Sequence, residues 1–193
     1  MIAGLEGTLA TVAGDHVTIN VGGVYYRVAM PGTTIGTLGK IGDTVHVHTF
    51  LYVREDQLAL YGATSEQQLK MFESLLGVTG IGPKAALSIL SVMQPDALES
   101  AISSGNLDLL TRVPGIGRKT AQRLVLELKG KLDLSSAAAL IGGSPSTANE
   151  VVEALGGLGY SASEIQAALS SMPKDEPMTT EDMILYALKR LGR

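Results

Sequence analysis

A chain of 193 residues with 45% hydrophobic content can bury one large core or two to three small ones. It has no cysteine, which excludes disulfide frameworks, thiol nucleophiles, thiolate zinc sites and iron-sulfur clusters. The formal charge of -4 argues against a protein that coats nucleic acid indiscriminately, while no run nears the ~20 apolar residues of a membrane span and MIAGLEGTLATV lacks the basic start of a signal peptide, so a soluble, cytoplasmic chain is expected.

From Met1 to about Gly62 β-branched and aromatic runs alternate with glycine-bearing turns, which predicts strands over 2–11, 16–21, 24–30, 44–53 and 57–61. Gly22 and Gly23 stand between VTINV and VYYRVAM, where a two-residue hairpin needs positive φ. Five short strands suggest a small barrel, and the OB-fold is the commonest five-stranded barrel that also binds nucleic acid. His46 and His48 fall two apart on one strand face; without a carboxylate or thiolate partner they are not expected to hold a metal. From Ser65 the period becomes helical: Ser65 and Gln68 have capping-box spacing, and Leu69, Phe72, Leu75 and Leu76 form an apolar face. Helices are expected to continue to about Lys131. A small-residue stretch interrupted by Gly142, Gly143 and Pro145 then reads as a linker. Three short helical patterns follow from about Ala148, with Ser161/Glu164 and Thr179/Asp182 placed as N-caps with first-turn acids.

Charge is unevenly spread. Residues 1–63 hold 3 basic and 5 acidic groups and residues 142–193 hold 4 and 7, whereas positions 112–131 carry Arg112, Arg118, Lys119, Arg123, Lys129 and Lys131 against only Glu127. That basic stretch overlaps an internal repeat. Val78-Thr79-Gly80-Ile81-Gly82-Pro83-Lys84, followed by AALSIL, returns 35 residues later as Val113-Pro114-Gly115-Ile116-Gly117-Arg118-Lys119, followed by TAQRLV. Each copy has an upstream amphipathic helix, a Gly-Ile-Gly turn, a basic residue opening the next helix, and Ala86 or Ala121 two positions on, where helices can approach closely. This is a helix-hairpin-helix written twice.

A helix start carries unpaired N–H groups and a partial positive charge, which together attract an anion. Glycines at 80, 82, 115 and 117 free the backbone and remove the β-carbons that would hold a phosphate away. Lys84, Arg118, Lys119 and Arg123 add charge-assisted contacts. Such groups grip phosphates and leave base edges unread, so binding is expected to be independent of sequence. The GIGRKT segment lacks the G-x-x-x-x-G-K-[ST] spacing of a nucleotide-binding loop, so no ATPase activity is expected.

The opening MIAGLEGTL, the segment LYVREDQLALYG, the doubled VTGIGPKAALSIL and VPGIGRKTAQRLVLELK, and the terminal EALGGLGYSASEIQAAL together resemble the RuvA family of Holliday-junction branch-migration subunits along the whole chain. The resemblance implies a multidomain β and α protein without catalytic residues, cofactor or metal. Its expected parts are an OB-fold barrel over 1–63, a double helix-hairpin-helix domain over 64–132, a flexible linker over 133–147 and a UBA-like three-helix bundle over 148–193. It further implies a homotetramer, or two tetramers paired into an octamer, on a four-way DNA junction. The RuvB hexameric ATPase would dock on the C-terminal domain, through surface drawn from Leu155, Leu158, Tyr160, Ile165 and Leu169, and the RuvC resolvase would act in the same pathway. Glu55 and Asp56 match the family's acidic pin at the tetramer centre, where carboxylates repel phosphates and guide strands apart, with Arg54 placed to hold a nearby backbone. Proline at 83, where the second copy has Arg118, leaves the first hairpin with fewer charges.

A helix-hairpin-helix repair enzyme, glycosylase or nuclease subunit, is the alternative. Against it, the first aspartate after the second hairpin is Asp133, at the edge of the linker, and Glu55 and Asp56 are sequence neighbours on a tight turn, a poor two-metal pair. A pure interaction adaptor leaves the repeat unexplained.

Overall fold

The computed structural model describes residues 1–139, 145–160, 162–172 and 178–192; within these, the side chains of 130–139, 145–149, 153, 162, 163 and 166 are outside the description. The chain divides into two compact units, Met1–Val125 and Leu126–Arg193.

Unit one begins with β1 (Gly4–Val12), β2 (His16–Val21), β3 (Val24–Ala29), β4 (Thr44–Arg54) and β5 (Gln57–Ala63). They close into a barrel in the order β1-β2-β3-β5-β4, with β1 returning to β4 and β3 running parallel to β5, an OB-like arrangement. Alternation along the strands turns Leu5, Leu9, Val17, Ile19, Val28, Val45 and Val47 inward to one core. Between β2 and β3, Gly22 (φ 59°) and Gly23 (φ 92°) both occupy the positive-φ region, as the expected two-residue turn requires. A short helix not foreseen from sequence, α1 (Gly32–Ile35), bridges β3 and β4.

The helical half of unit one holds α2 (Glu66–Leu76), α3 (Pro83–Val92), α4 (Pro95–Ser103), α5 (Leu107–Leu110) and the start of α6 (Arg118–Ala139). The α2 cap is made by half of the expected box. Ser65 accepts from the Gln68 amide at 3.2 Å, but the Gln68 side chain turns away to meet Thr34. The Thr34 hydroxyl donates to Gln68 Oε1 at 3.2 Å, and Gln68 Nε2 donates to Thr34 Oγ1 at 2.9 Å. The buried face of α2 is therefore Gln68, Met71, Phe72 and Leu75, rotated from the expected Leu69-Phe72-Leu75-Leu76 stripe because a satisfied polar pair takes an interior position. Phe72 stacks on Tyr61 of β5 with centroids 5.1 Å apart, and Ser91 of α3 accepts from the Gly32 amide at 2.9 Å. These contacts join the hairpins to the barrel.

Helix α6 runs to Ala139, past the Lys131 limit expected from sequence, so 133–139 are helical. Gly142 and Gly143 lie outside the described residues, and Pro145 opens α7 (Pro145–Gly157) at the first helical position, which its fixed φ suits. Unit two also contains α8 (Ala162–Ser170) and α9 (Thr180–Leu191), packed with α7 as a three-helix bundle. Val151, Val152, Leu155, Ile165, Ala168, Leu169, Met183 and Ala187 form its core. Helix α9 has a complete capping box: Thr179 accepts from the Asp182 amide, and Asp182 accepts from the Thr179 amide and hydroxyl. These bonds hold the Asp182 carboxyl below its ordinary pKa. The other expected cap, Ser161, lies outside the described residues. No described helix is long and apolar enough to cross a membrane.

Breaking the Thr34–Gln68 pair on one side should be costly, because the other group stays buried without a partner. Thr34→Val is expected to lower unfolding stability by about 1–3 kcal/mol, and adding Gln68→Met should restore part of the loss. Urea titration of both variants checks this.

Candidate nucleic-acid interface

The two Gly-Ile-Gly segments fold alike. In the first, Val78 and Ile81 are buried and the Ile81 amide donates to the Val78 carbonyl at 3.0 Å; in the second, Val113 and Ile116 are buried and the Ile116 amide donates to the Val113 carbonyl at 3.0 Å. Gly80 has φ 90° and Gly115 φ 87°, so the first glycine of each turn occupies backbone space closed to ordinary side chains. The second glycine differs from expectation. Gly82 is extended (φ -96°, ψ 176°), and Gly117 is outside the positive-φ set. A β-carbon on either would meet nothing within 4 Å. Neither backbone angle nor internal packing demands glycine there; what a side chain would occupy is the open space before the helix.

That space opens onto the helix starts, where unpaired N–H groups attract anions. The Ala86 amide donates to Gly82 O at 3.0 Å and the Ala121 amide to Gly117 O at 2.9 Å, so α3 and α6 begin at these glycines and the amides before Ala86 and Ala121 face outward. No side chain caps α3. Ala86 and Ala121 are fully buried, seating both helix starts firmly. Lys84, Arg118, Lys119 and Arg123 are all exposed, as are Arg112 and Lys129; the side chain of Lys131 lies outside the described residues. Ser88 was not singled out from sequence. Its hydroxyl donates to the Pro114 carbonyl at 3.4 Å, touching the second hairpin from α3. The 35-residue offset could have found it, since Ser88 is the counterpart of Arg123.

Arg54, Glu55 and Asp56 end the β4–β5 hairpin, with Arg54 paired to Gln57 across a two-residue tip. Both acids are exposed and neither has positive φ. Arg54 is occupied locally: Nε donates to the Tyr52 hydroxyl at 2.8 Å and the guanidinium carbon lies 5.1 Å from the Tyr52 ring centroid. Exposed Val53 and Leu58 face each other just below the tip. The sequence reading passed over both.

The bundle residues separate sharply. Leu155 and Ile165 are 0% exposed and Leu169 is 3% exposed, while Leu158 is 62% exposed and Tyr160 is half-buried. Burial removes Leu155, Ile165 and Leu169 from any contact surface, correcting that expectation: they belong to the bundle core. Exposed Leu185 adds a second apolar side chain in the same unit.

Nothing resembling an acid/base pair poised for catalysis emerges among the described residues. A cleft of about 450 Å³ between barrel and α3 is lined by Asp15, Tyr61, Lys84, Ser88 and Ser91 among others. The His16 side chain, hydrogen-bonded to Asp15, holds that carboxyl below its ordinary pKa, while burial raises that of Tyr61. Both shifts lead away from neutrality, where a general acid or base works best. The His46 and His48 rings meet edge to face at 5.0 Å, and no group of three His, Asp or Glu side chains is placed to ligate a metal among the described residues. Asp133 falls within α6, with its side chain outside the description.

Comparison with known proteins accounts for nearly the whole chain. Residues 1–62 match the family model described as RuvA N terminal domain, 72–131 the SAM-like helix-hairpin-helix tandem, and 146–192 the RuvA C-terminal domain. A Herpetosiphon aurantiacus protein named Holliday junction branch migration complex subunit RuvA is 45% identical, with 100% of this chain and 99% of that protein covered. The chain belongs to the RuvA family. Proteins of the same name from Chloroflexus aggregans (44% identical, 100% and 99% covered) and Dehalococcoides mccartyi (43%, 97% and 97%) match along nearly their whole lengths. The family thus spans barrel, tandem hairpins and terminal bundle together.

The contrast between the two glycines of a hairpin is measurable without DNA. Gly115→Ala is expected to destabilise unit one by about 1–2 kcal/mol through its left-handed backbone. Gly117→Asp should leave stability within about 0.5 kcal/mol or raise it, since aspartate caps a helix start as well as glycine or better. Thermal denaturation of both variants checks the pair.

Proposed function

We propose that this chain is the DNA-binding subunit of a branch-migration complex: it binds four-way Holliday junctions by their phosphates, irrespective of sequence, and holds them open for a separate ATP-driven motor. The observation that carries this reading is the pair of matched helix starts, alike in turn hydrogen bond, first-glycine φ and buried anchors. Each is uncluttered at Gly82 or Gly117, flanked by exposed cations and held by a buried alanine. Two such sites on one subunit fit the two phosphate backbones of a duplex arm.

Four copies around the junction, as a tetramer or as two tetramers facing each other, would bring four Glu55-Asp56 tips to its centre. Carboxylates there repel phosphate oxygens while the hairpins grip the arms. Exposed Val53 and Leu58 beneath each tip supply apolar surface suited to subunit contact. In this reading Arg54, already bonded to Tyr52, stiffens the tip and lends it positive charge. The terminal bundle presents Leu158, with Tyr160 beside it in sequence, to the RuvB ATPase, and the RuvC resolvase acts on the same junctions. The work is done in the cytoplasm, where the DNA is.

Gly82→Asp or Gly117→Asp should abolish junction binding while the protein melts as the parent does, because bulk and negative charge enter the phosphate space. A gel-shift titration on a synthetic junction and a matched linear duplex, at fixed salt, measures the loss. In the parent the junction should win strongly; equal affinity for both DNAs would reduce the chain to a generic backbone binder.

For the bundle, Leu158→Asp in the full-length chain is expected to leave junction affinity unchanged and to abolish stimulation of the motor ATPase. ATP turnover by RuvB on junction DNA, with and without the variant, reads this directly. Undiminished stimulation would exclude Leu158 from the docking surface.

A further inference from the structure

The two hairpins do not carry the same charges. The 35-residue offset aligns Lys84 with Lys119 but sets Pro83 against Arg118, and it sets Ser88 against Arg123. The first copy thus has one cation, Lys84, where the second has three. The fold redistributes them. A β-carbon built on Gly80 would lie 3.9 Å from Nη1 of Arg123, so this guanidinium, projecting from α6, sits at the turn of the first hairpin. The reciprocal contact is also present: Ser88, projecting from α3, reaches the Pro114 carbonyl in the second hairpin at 3.4 Å. Counterpart positions of the repeat each cross to the other copy.

We infer that Arg123 belongs to the phosphate site of the first hairpin and replaces the cation that proline removes at position 83. Each hairpin then presents two cations, Lys84 with Arg123 at the first and Arg118 with Lys119 at the second. Proline has its own use at position 83: it presets φ for the first helical residue and has no N–H to leave unpaired. A guanidinium suits the borrowed role, because its planar fork can hold two phosphate oxygens from the side of the turn. Arg123 begins about five residues, or ~7.5 Å of helix axis, beyond the start of α6, which sets it back from its own hairpin's glycines. The inference rests on the phosphate-binding reading above and assigns that site's residues between the two strands of an arm.

Phosphate-ethylation interference on a synthetic four-way junction tests the assignment, using the full-length chain and its Lys84→Ala, Lys119→Ala, Arg123→Gln and Arg123→Lys variants, each checked for an unchanged melting curve. Lys84→Ala and Lys119→Ala are expected to relieve interference at two different sets of phosphates. Arg123→Gln should relieve it at the Lys84 set and reduce the logarithmic salt slope of binding by about 0.9, while Arg123→Lys restores most of both. Relief at the Lys119 set overturns the inference, and so does lost affinity with the parent's salt slope, which would make Arg123 only a brace for the turn. If Lys84→Ala and Lys119→Ala both bind as the parent does, the phosphate reading itself fails and takes the inference with it.

Discussion

A helix start can receive a phosphate only if the protein leaves it bare, and most helices do not: a serine, threonine or aspartate usually folds back onto the first amides. The same chain shows the ordinary solution at α2, capped by Ser65, and at α9, capped by Thr179. At α3 the cap residue is a glycine with no side chain to offer, and α6 likewise follows Gly117. The amides left facing outward cost some helix stability, and the surrounding structure offsets it. Ile81 and Ile116 anchor the turns from below, and Ala86 and Ala121 allow close helix packing. Much of unit one, including the aromatic contact between Tyr61 and Phe72 and the Thr34–Gln68 pair, can be read as support for two bare helix ends.

Electrostatics follow the same division. The chain as a whole is acidic, and its positive charge is concentrated at the hairpins. A protein that must release DNA arms as they move gains from this, since a broad basic surface would bind any duplex by counterion release. With a cluster of cations at the hairpins and two carboxylates beside Arg54 at the β4–β5 tip, the charge pattern would favour phosphates held at particular places in space, so that shape is read through charge.

The sequence made plain those features that rest on local rules. Strand alternation placed the barrel, Gly22-Gly23 its hairpin, and the 35-residue repeat the two helix starts. Features set by tertiary contact were hidden. Gln68 looked like a capping residue, and its capping role failed because a buried threonine from α1, thirty-four positions earlier, offered a better-shielded partner. The helical stretch 133–139 was hidden because its composition conflicts: Asp133, Ser135 and Ser136 favour turns, whereas the three alanines favour helix. Leu155, Ile165 and Leu169 were apolar on a helix face, and periodicity alone does not tell a face turned to its own bundle from one turned to a partner. The second glycines of the hairpins read in sequence both as free backbone and as room for a phosphate; their backbone angles turn out not to require glycine, and the space before each helix stays open.

The closure of the barrel has a further consequence. Every one of its five strands has a neighbour on each side, although the β3–β5 seam is only two residue pairs long, Val28 with Leu60 and Ala29 with Tyr61. Most of the barrel backbone is therefore already paired, which leaves little sheet edge for another chain to extend. Copies of this subunit would meet chiefly through side chains, whose shapes limit how many fit, and contacts of that kind favour an assembly of fixed number over an open-ended fibre.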